Sequence, residues 1–178
     1  NDSSSCQFLD APPLRRIFGV PIVDGPRHVS VVRDPEGRGM VLRTSHDGYV
    51  ERYGIVHERF VSLSPDGNRL ECEDVFLPVR GDTLPPEAED HFAVRFHLHP
   101  GTRVNVFPDG HGAGLLRPNR DVWNLNAHDD VVAVEESVYL AGQDGPRRTT
   151  QIVIYGHARR TQRVHWSLNH VRQLSAAE

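Results

Sequence analysis

The alternation that decides the fold lies in Phe92-Ala93-Val94-Arg95-Phe96-His97-Leu98-His99-Pro100. Read with a period of two, Phe92, Val94, Phe96 and Leu98 share one side of a β-strand, and Ala93, Arg95, His97 and His99 share the other. The apolar side predicts packing into a core. Imidazole is the commonest protein metal ligand and titrates near neutral pH. The other side is therefore either a metal or substrate site or a solvent-exposed polar surface.

Similar β-rich segments recur along the rest of the chain, separated by turn sequences. The turns Asp34-Pro35-Glu36-Gly37, Pro65-Asp66-Gly67-Asn68 and Pro108-Asp109-Gly110 favour tight reversals, because Pro presets φ and Gly accepts positive φ. No amphipathic helix of useful length is evident. Short strands at this spacing predict an all-β fold, an antiparallel β-sandwich in a single domain. The predicted strands are 28–33, 40–45, 55–64, 69–79, 92–99, 103–107, 114–117, 122–127, 131–141, 149–157 and 163–169.

Composition limits the classes of function. The chain has 178 residues, which suits one buried core. Its 24 acidic and 20 basic residues give a net charge of −4 with no basic stripe, which argues against a nucleic-acid partner. No apolar segment approaches the roughly 20 residues of a membrane span, so a soluble protein is expected. We expect residues 1–15 to be disordered or a linker remnant, and residues 16–178 to form a domain excised from a longer protein.

Several motifs occur in an order that resembles the C-terminal β domain of the heparinase II/III family of polysaccharide lyases. The resemblance covers roughly residues 40–168. The segments that carry it are Ser45-His46-Asp47-Gly48-Tyr49, Gly54-Ile55-Val56-His57-Glu58-Arg59, Asp66-Gly67-Asn68-Arg69-Leu70-Glu71-Cys72-Glu73-Asp74, Arg95-Phe96-His97-Leu98-His99-Pro100, Glu135-Glu136-Ser137-Val138-Tyr139-Leu140 and Thr149-Thr150-Gln151-Ile152-Val153.

This resemblance implies that two domains contribute different parts of one active site. In the family, a helical toroid precedes the β-sandwich, and an acidic polysaccharide lies in the cleft between them. The reaction is β-elimination at a uronic acid, which needs a base for the C5 proton and a group that neutralises the carboxylate. The tyrosine and the asparagine-type neutraliser belong to the helical part. The resemblance therefore implies an accessory domain that works with a missing N-terminal helical domain and is inactive alone.

The resemblance also implies a structural metal, usually zinc, held by two histidines and an aspartate. Carried over to this sequence, the ligands are His57, Asp74 and either His97 or His99, with a water completing the tetrahedron. Same-side neighbours on a strand lie about 6.5–7 Å apart, so one of His97 and His99 is expected to bind the metal. The best-known lyases carry a further histidine where this chain has Ile55. This departure puts a direct catalytic contribution in doubt.

Three residues are candidates for substrate contact. His46 and Tyr49 would face the saccharide cleft, because imidazole and aromatic rings suit sugars. Arg95 would pair with a substrate carboxylate, or alternatively with Asp74 or Glu58.

Two other functions remain open from the sequence. His97-Leu98-His99 superficially resembles the His-x-His of a cupin-like metal enzyme, but the glutamate expected a few residues later is missing. A non-catalytic carbohydrate-binding or interaction sandwich would leave the histidine side free of metal. Fold alone does not separate these functions.

Overall fold

The computed structural model describes residues 4–9, 11–18, 21–34, 40–79, 91–141 and 145–171. Within them the chain is almost entirely β-structure, with two short helices. The elements are β1 (Gln7–Phe8), α1 (Pro12–Phe18), β2 (Ile22–Asp24), β3 (Val29–Asp34), β4 (Met40–Tyr49), α2 (Val50–Tyr53), β5 (Ile55–Leu63), β6 (Arg69–Pro78), β7 (His91–His97), β8 (Arg103–Val106), β9 (Gly112–Leu116), β10 (Val122–Asn126), β11 (Val132–Tyr139), β12 (Arg147–His157) and β13 (Arg163–Val171).

The strands form three antiparallel sheets. The largest has eight strands in the order β3-β4-β5-β6-β13-β10-β9-β8, the second has the order β11-β12-β7, and β1 pairs with β2. The larger two stack as a sandwich, in which Phe92 of β7 contacts Phe76 of β6 at 4.5 Å between ring centroids and Phe96 contacts Trp166 of β13 at 4.7 Å. The predicted all-β, antiparallel sandwich is confirmed.

Strand prediction succeeded for β3 to β13, which correspond in order to the eleven predicted segments. The turn glycines Gly67 and Gly110 have φ values of 71° and 76°, as the turn sequences require. The turn predicted at 34–37 extends beyond the described residues. One boundary was wrong: β7 ends at His97, and the Thr102 amide donates to the His99 carbonyl in the turn that follows.

The core lies between the two larger sheets. Ile152 and Ile154 of β12 are fully buried against Leu125 and Val164 of the large sheet. Burying such side chains contributes about 1.5–3 kcal/mol each, so these four residues are a large source of hydrophobic stabilisation.

The small sheet leaves part of the large sheet uncovered. Paired residues on neighbouring strands lie on the same face, and the register pairs Val29 with His46 and Val31 with Thr44. Val29 and Val31 are 67% and 64% exposed. We call this part of the inner surface the open face. It consists of Val29, Val31, Thr44, His46, Tyr49, His57 and Arg59.

The N-terminal segment contributes β1 and the first residues of α1 within 1–15, and α1 crosses the proposed boundary at residue 15. Ser5 also lies against Gly48, at the end of β4. The division into 1–15 and 16–178 stays a prediction. In the part of the chain that the structure describes, the helices are too short and too polar to cross a membrane.

Candidate functional site

A polar cluster lies where the open face meets the core. The strand register places His57 of β5 opposite His46 of β4 and Phe76 of β6, and it places Arg59 opposite Asp74. Strand alternation then aims His46, His57, Arg59 and Asp74 at the same side of the sheet. Three neighbouring strands thus bring together residues separated by up to 28 positions.

Asp74 is the centre of this cluster, and its side chain is fully buried. Oδ1 accepts hydrogen bonds from His57 Nε2 at 2.7 Å and from Arg59 Nε at 2.7 Å. Oδ2 accepts from Arg59 Nη2 at 3.1 Å and from Trp166 Nε1 at 2.9 Å. Burial raises the pKa of Asp74, but the hydrogen bonds from His57, Arg59 and Trp166 and the charge of Arg59 outweigh it, so its pKa is lowered. The carboxylate is therefore ionised inside the protein.

His46 and His57 continue the hydrogen-bonded series away from Asp74. His57 Nδ1 lies 3.0 Å from His46 Nε2, and the Gly48 amide donates to His46 Nδ1 at 3.3 Å. One consistent arrangement has both neutral imidazoles protonated on Nε2, since each Nδ1 then accepts. Burial, and then the neighbouring His57, lower the pKa of His46. The ring is therefore neutral at neutral pH.

Aromatic rings surround the histidines. The Tyr49 ring centroid lies 5.3 Å from that of His46, and Phe76 stacks on His57 at 5.6 Å with 21° between the planes. Burial raises the pKa of Tyr49, so its hydroxyl stays protonated. His46 and Tyr49, predicted as substrate contacts, thus adjoin His57 and Asp74. Whether any of them binds substrate stays a prediction.

The other predicted site residues lie elsewhere. Arg95 and His97 are on β7, opposite Val153 and Gln151, and they alternate with the core residues Val94 and Phe96. They therefore lie on the outer surface of the small sheet. His97 Nδ1 lies 2.8 Å from Ser137 Oγ. Arg59 binds Asp74 and Arg43 binds Glu58, both on the large sheet, whereas Arg95 belongs to the small sheet.

His99 also lies apart from His57. Its Nδ1 is 2.8 Å from the Pro100 carbonyl oxygen, and its ring contacts Tyr139 at 5.1 Å. β7 ends before His99, and His97 and His99 contact Ser137 and Tyr139, two residues on the same face of β11.

The residues present do not fit the expected zinc site. Of the four candidate ligands, the structure brings His57 and Asp74 together and leaves His97 at the end of β7 and His99 in the turn that follows. Among the described residues, no group of three or more His, Cys, Asp or Glu side chains is arranged to hold a metal. Asp74 instead receives protein donors on both oxygens.

An open depression of about 450 Å³ lies beside this cluster and includes only His46 from it. Its other walls include Ser45 and Asp47, which alternate with His46 along β4, together with Arg27, His28 and the open-face residue Val29. Asp47 accepts hydrogen bonds from both the Arg27 and His28 amides, and those from His28 contribute most to lowering the pKa of Asp47 to about 2. The depression therefore adjoins the open face through His46 and Val29, and its walls carry charges of both signs.

Arg59 and Trp166 were not identified from the sequence as parts of the site. Arg59 has the same parity as His57 along β5, which is a local signal that it faces the same way. Trp166 carries no such signal, since its approach to Asp74 depends on the pairing of β13 with β6.

Comparison with known proteins gives the family. The family model described as heparinase II/III-like, C-terminal, matches residues 1–167. FtsZ-localized protein C of Caulobacter vibrioides is 31% identical over 148 residues, which cover 81% of this chain and 25% of that protein.

Solved structures share the fold at low identity. The crystal structure of heparan sulfate lyase HepC from Pedobacter heparinus matches with a TM-score of 0.66 and 11% identity, over 84% of this chain and 23% of that one. A crystal structure of heparinase III matches with a TM-score of 0.61 and 13% identity, over 80% and 21%. This chain therefore spans about a quarter of the length of these proteins. From the family match and the shared sandwich, we conclude that this chain belongs to the heparinase II/III-like family and represents its C-terminal domain.

Proposed function

We propose that this domain forms one wall of a cleft that binds an acidic polysaccharide in a longer uronate lyase, and that it is inactive alone. The observation that carries the proposal is the open face. There His46, Tyr49 and Arg59 lie together on a surface that the small sheet leaves uncovered, and the Arg59 side chain is 39% exposed. Sugar rings suit aromatic and imidazole neighbours, and the guanidinium N–H groups of Arg59 that do not bind Asp74 can donate to a uronate carboxylate.

The chemistry assigns this domain a binding role. In β-elimination a base removes the C5 proton, a neighbouring group neutralises the carboxylate, and the glycosidic oxygen leaves. Both ring nitrogens of His46 already have partners, and Ile55 stands where the known lyases carry a histidine. His46 and Tyr49 therefore orient the sugar. Groups of a helical domain elsewhere in the longer protein supply the base and the neutraliser.

The test uses the longer protein that contains this chain. It is incubated separately with heparan sulfate, chondroitin sulfate and hyaluronan, and the unsaturated uronate product is followed by its ultraviolet absorbance. We expect product from at least one polysaccharide and none from this domain by itself. His46→Ala should lower kcat/KM about tenfold, which corresponds to about 1.4 kcal/mol of transition-state stabilisation.

The matched control is His165→Ala. His165 lies on the opposite surface of the same sheet, 2.9 Å from Glu73, and its removal should leave kcat/KM unchanged. Melting temperatures of both variants show whether a lost activity reflects unfolding. If the longer protein binds the polysaccharides but releases no unsaturated product, the lyase assignment is wrong.

A second candidate is a non-catalytic interaction domain. Its support is the 31% identical relative, whose name ties its localisation to FtsZ rather than to a lyase activity. Ile55 agrees with this candidate as well, since the sandwich then needs no catalytic histidine. Binding of acidic polysaccharide or of a protein partner to the open face without any product favours it.

A further inference from the structure

We propose that Arg59 supplies the cation that neutralises Asp74, so that this domain maintains its polar centre without a metal ion. The proposal does not rest on the proposed function, because a lyase and an interaction domain need a folded sandwich equally.

The first support is the saturation of Asp74. An ionised carboxylate offers about four lone-pair positions. His57, Arg59 and Trp166 fill all four, with Arg59 donating through both Nε and Nη2. A metal would have to displace at least one of these donors, and the displaced donor would lose its charged acceptor in a buried place.

The second support is the distance between the two expected ligands. His57 Nε2 lies 2.7 Å from Asp74 Oδ1, which is the distance of a direct hydrogen bond. Two ligands bound tetrahedrally to one zinc at about 2.0–2.1 Å lie about 3.4 Å apart. The other ring nitrogen of His57 is also engaged, at 3.0 Å from His46. Neither nitrogen of His57 has a lone pair directed at a vacant position.

The third support is the side chain that the small sheet directs toward Phe76 and His57. Phe76 stacks on His57, and the residue of β7 that contacts Phe76 is Phe92. A phenyl ring thus lies on the side from which a third ligand would come. His97, five residues further along β7, faces the outer surface and interacts with Ser137.

Arg59 is also fixed in place by a second partner. Its guanidinium carbon lies 5.8 Å from the centroid of the Trp166 ring, while the indole nitrogen of Trp166 donates to Asp74. A bidentate contact to a carboxylate combined with an aromatic neighbour suits arginine and is not reproduced by lysine. The three side chains therefore form a self-contained neutral group.

The first experiment measures metal in the longer protein that contains this chain, purified without chelators. We expect much less than one zinc per chain from this domain, and a melting temperature of the domain that neither a chelator nor added zinc changes. His57→Ala should leave the metal content unchanged. A stoichiometric zinc that disappears with His57→Ala, or a chelator-induced drop in the melting temperature, would overturn the proposal.

The second experiment compares arginine variants by thermal unfolding. Arg59→Ala leaves a buried anion without its cation and should lower the melting temperature by on the order of 10 °C. Arg59→Lys keeps the charge but loses the bidentate geometry, so its melting temperature should lie between those of Arg59→Ala and the wild type. The matched control is Arg69→Ala, since the Arg69–Glu71 pair on β6 is 58% and 51% exposed and contributes little.

Arg59→Ala that melts no lower than Arg69→Ala would contradict the assigned role of Arg59. If Arg59→Ala is insoluble, Arg59→Lys and the metal measurements on the wild-type protein decide the question.

Discussion

The two halves of the large sheet use the same alternation of residues for different purposes. In the half covered by the small sheet, inward side chains such as Leu125 and Val164 are fully buried. On the open face, inward side chains such as Val31 and His46 remain wholly or partly accessible. The difference comes from sheet size, because three strands cannot cover the inner surface of eight.

Asp74 sits at the boundary between these halves. Its side chain is buried with the core, while its partners His57 and Arg59 belong to the open face. The arrangement couples the two halves, since the orientation of the open-face side chains depends on a carboxylate anchored in the core. The covered half thus supplies stability, and the boundary cluster positions the polar residues.

The comparison predicts that a Val→Ala substitution lowers the free energy of unfolding by different amounts in the two halves of the large sheet. Val164→Ala should destabilise the protein by about 3 kcal/mol, because it removes buried methyl groups and leaves a cavity. Val31→Ala should change the free energy of unfolding by less than about 0.5 kcal/mol. Chemical denaturation measures both. Similar values for the two variants would mean that the open face is covered in the intact protein.

A smaller effect is expected at the boundary. Asp74→Asn should cost about 2 kcal/mol, because the hydrogen bonds to a charged acceptor are lost. Glu71→Gln, an exposed change on the same strand, should cost less than about 1 kcal/mol.

Acid unfolding provides a further measurement of Asp74. Its folded-state pKa lies below the ordinary 3.8, so its stabilisation is complete above that pH and is lost as the pH falls toward the folded-state value. Asp74→Asn should therefore weaken the dependence of the free energy of unfolding on pH in the acid range. An unchanged acid profile would place the sensitive carboxylate elsewhere, for example at Asp47.

The smallest change in the free energy of unfolding is expected from the titration of His46 on the open face. The pKa of His46 is lower in the folded protein than its ordinary 6.5, through burial and the neighbouring His57, with Arg59 adding to this and Asp47 opposing it. The unfolded chain then binds more protons, so the free energy of unfolding should fall as the pH decreases below about 6.5. His46→Gln should abolish this pH-dependent fall in the free energy of unfolding, and His165→Gln should leave it unchanged. A fall that persists in His46→Gln would assign it to another group.

The sequence predicted the strands well and the site in part. Alternation and turn residues located β3 to β13, because both signals are local. His57 and Asp74 lie together as the resemblance implied, and the structure places His46 and Tyr49 beside them. Arg59 was passed over, although its parity along β5 matched that of His57. His97 and His99 lie apart from His57 and Asp74, because the outward side of β7, which alternation predicted for His97, faces away from the large sheet.

The sequence by itself determined an antiparallel β-sandwich, because side-chain alternation and turn chemistry act between neighbouring residues, and its ordered motifs carried the resemblance to the heparinase II/III family. Tertiary structure decided which donor reaches Asp74 and which half of the large sheet stays open. Those outcomes depend on strand order and register between distant segments, such as β13 beside β6, which no local pattern encodes. The hydrogen bond from Trp166 to Asp74, 92 residues apart in sequence, is the clearest result of that long-range pairing.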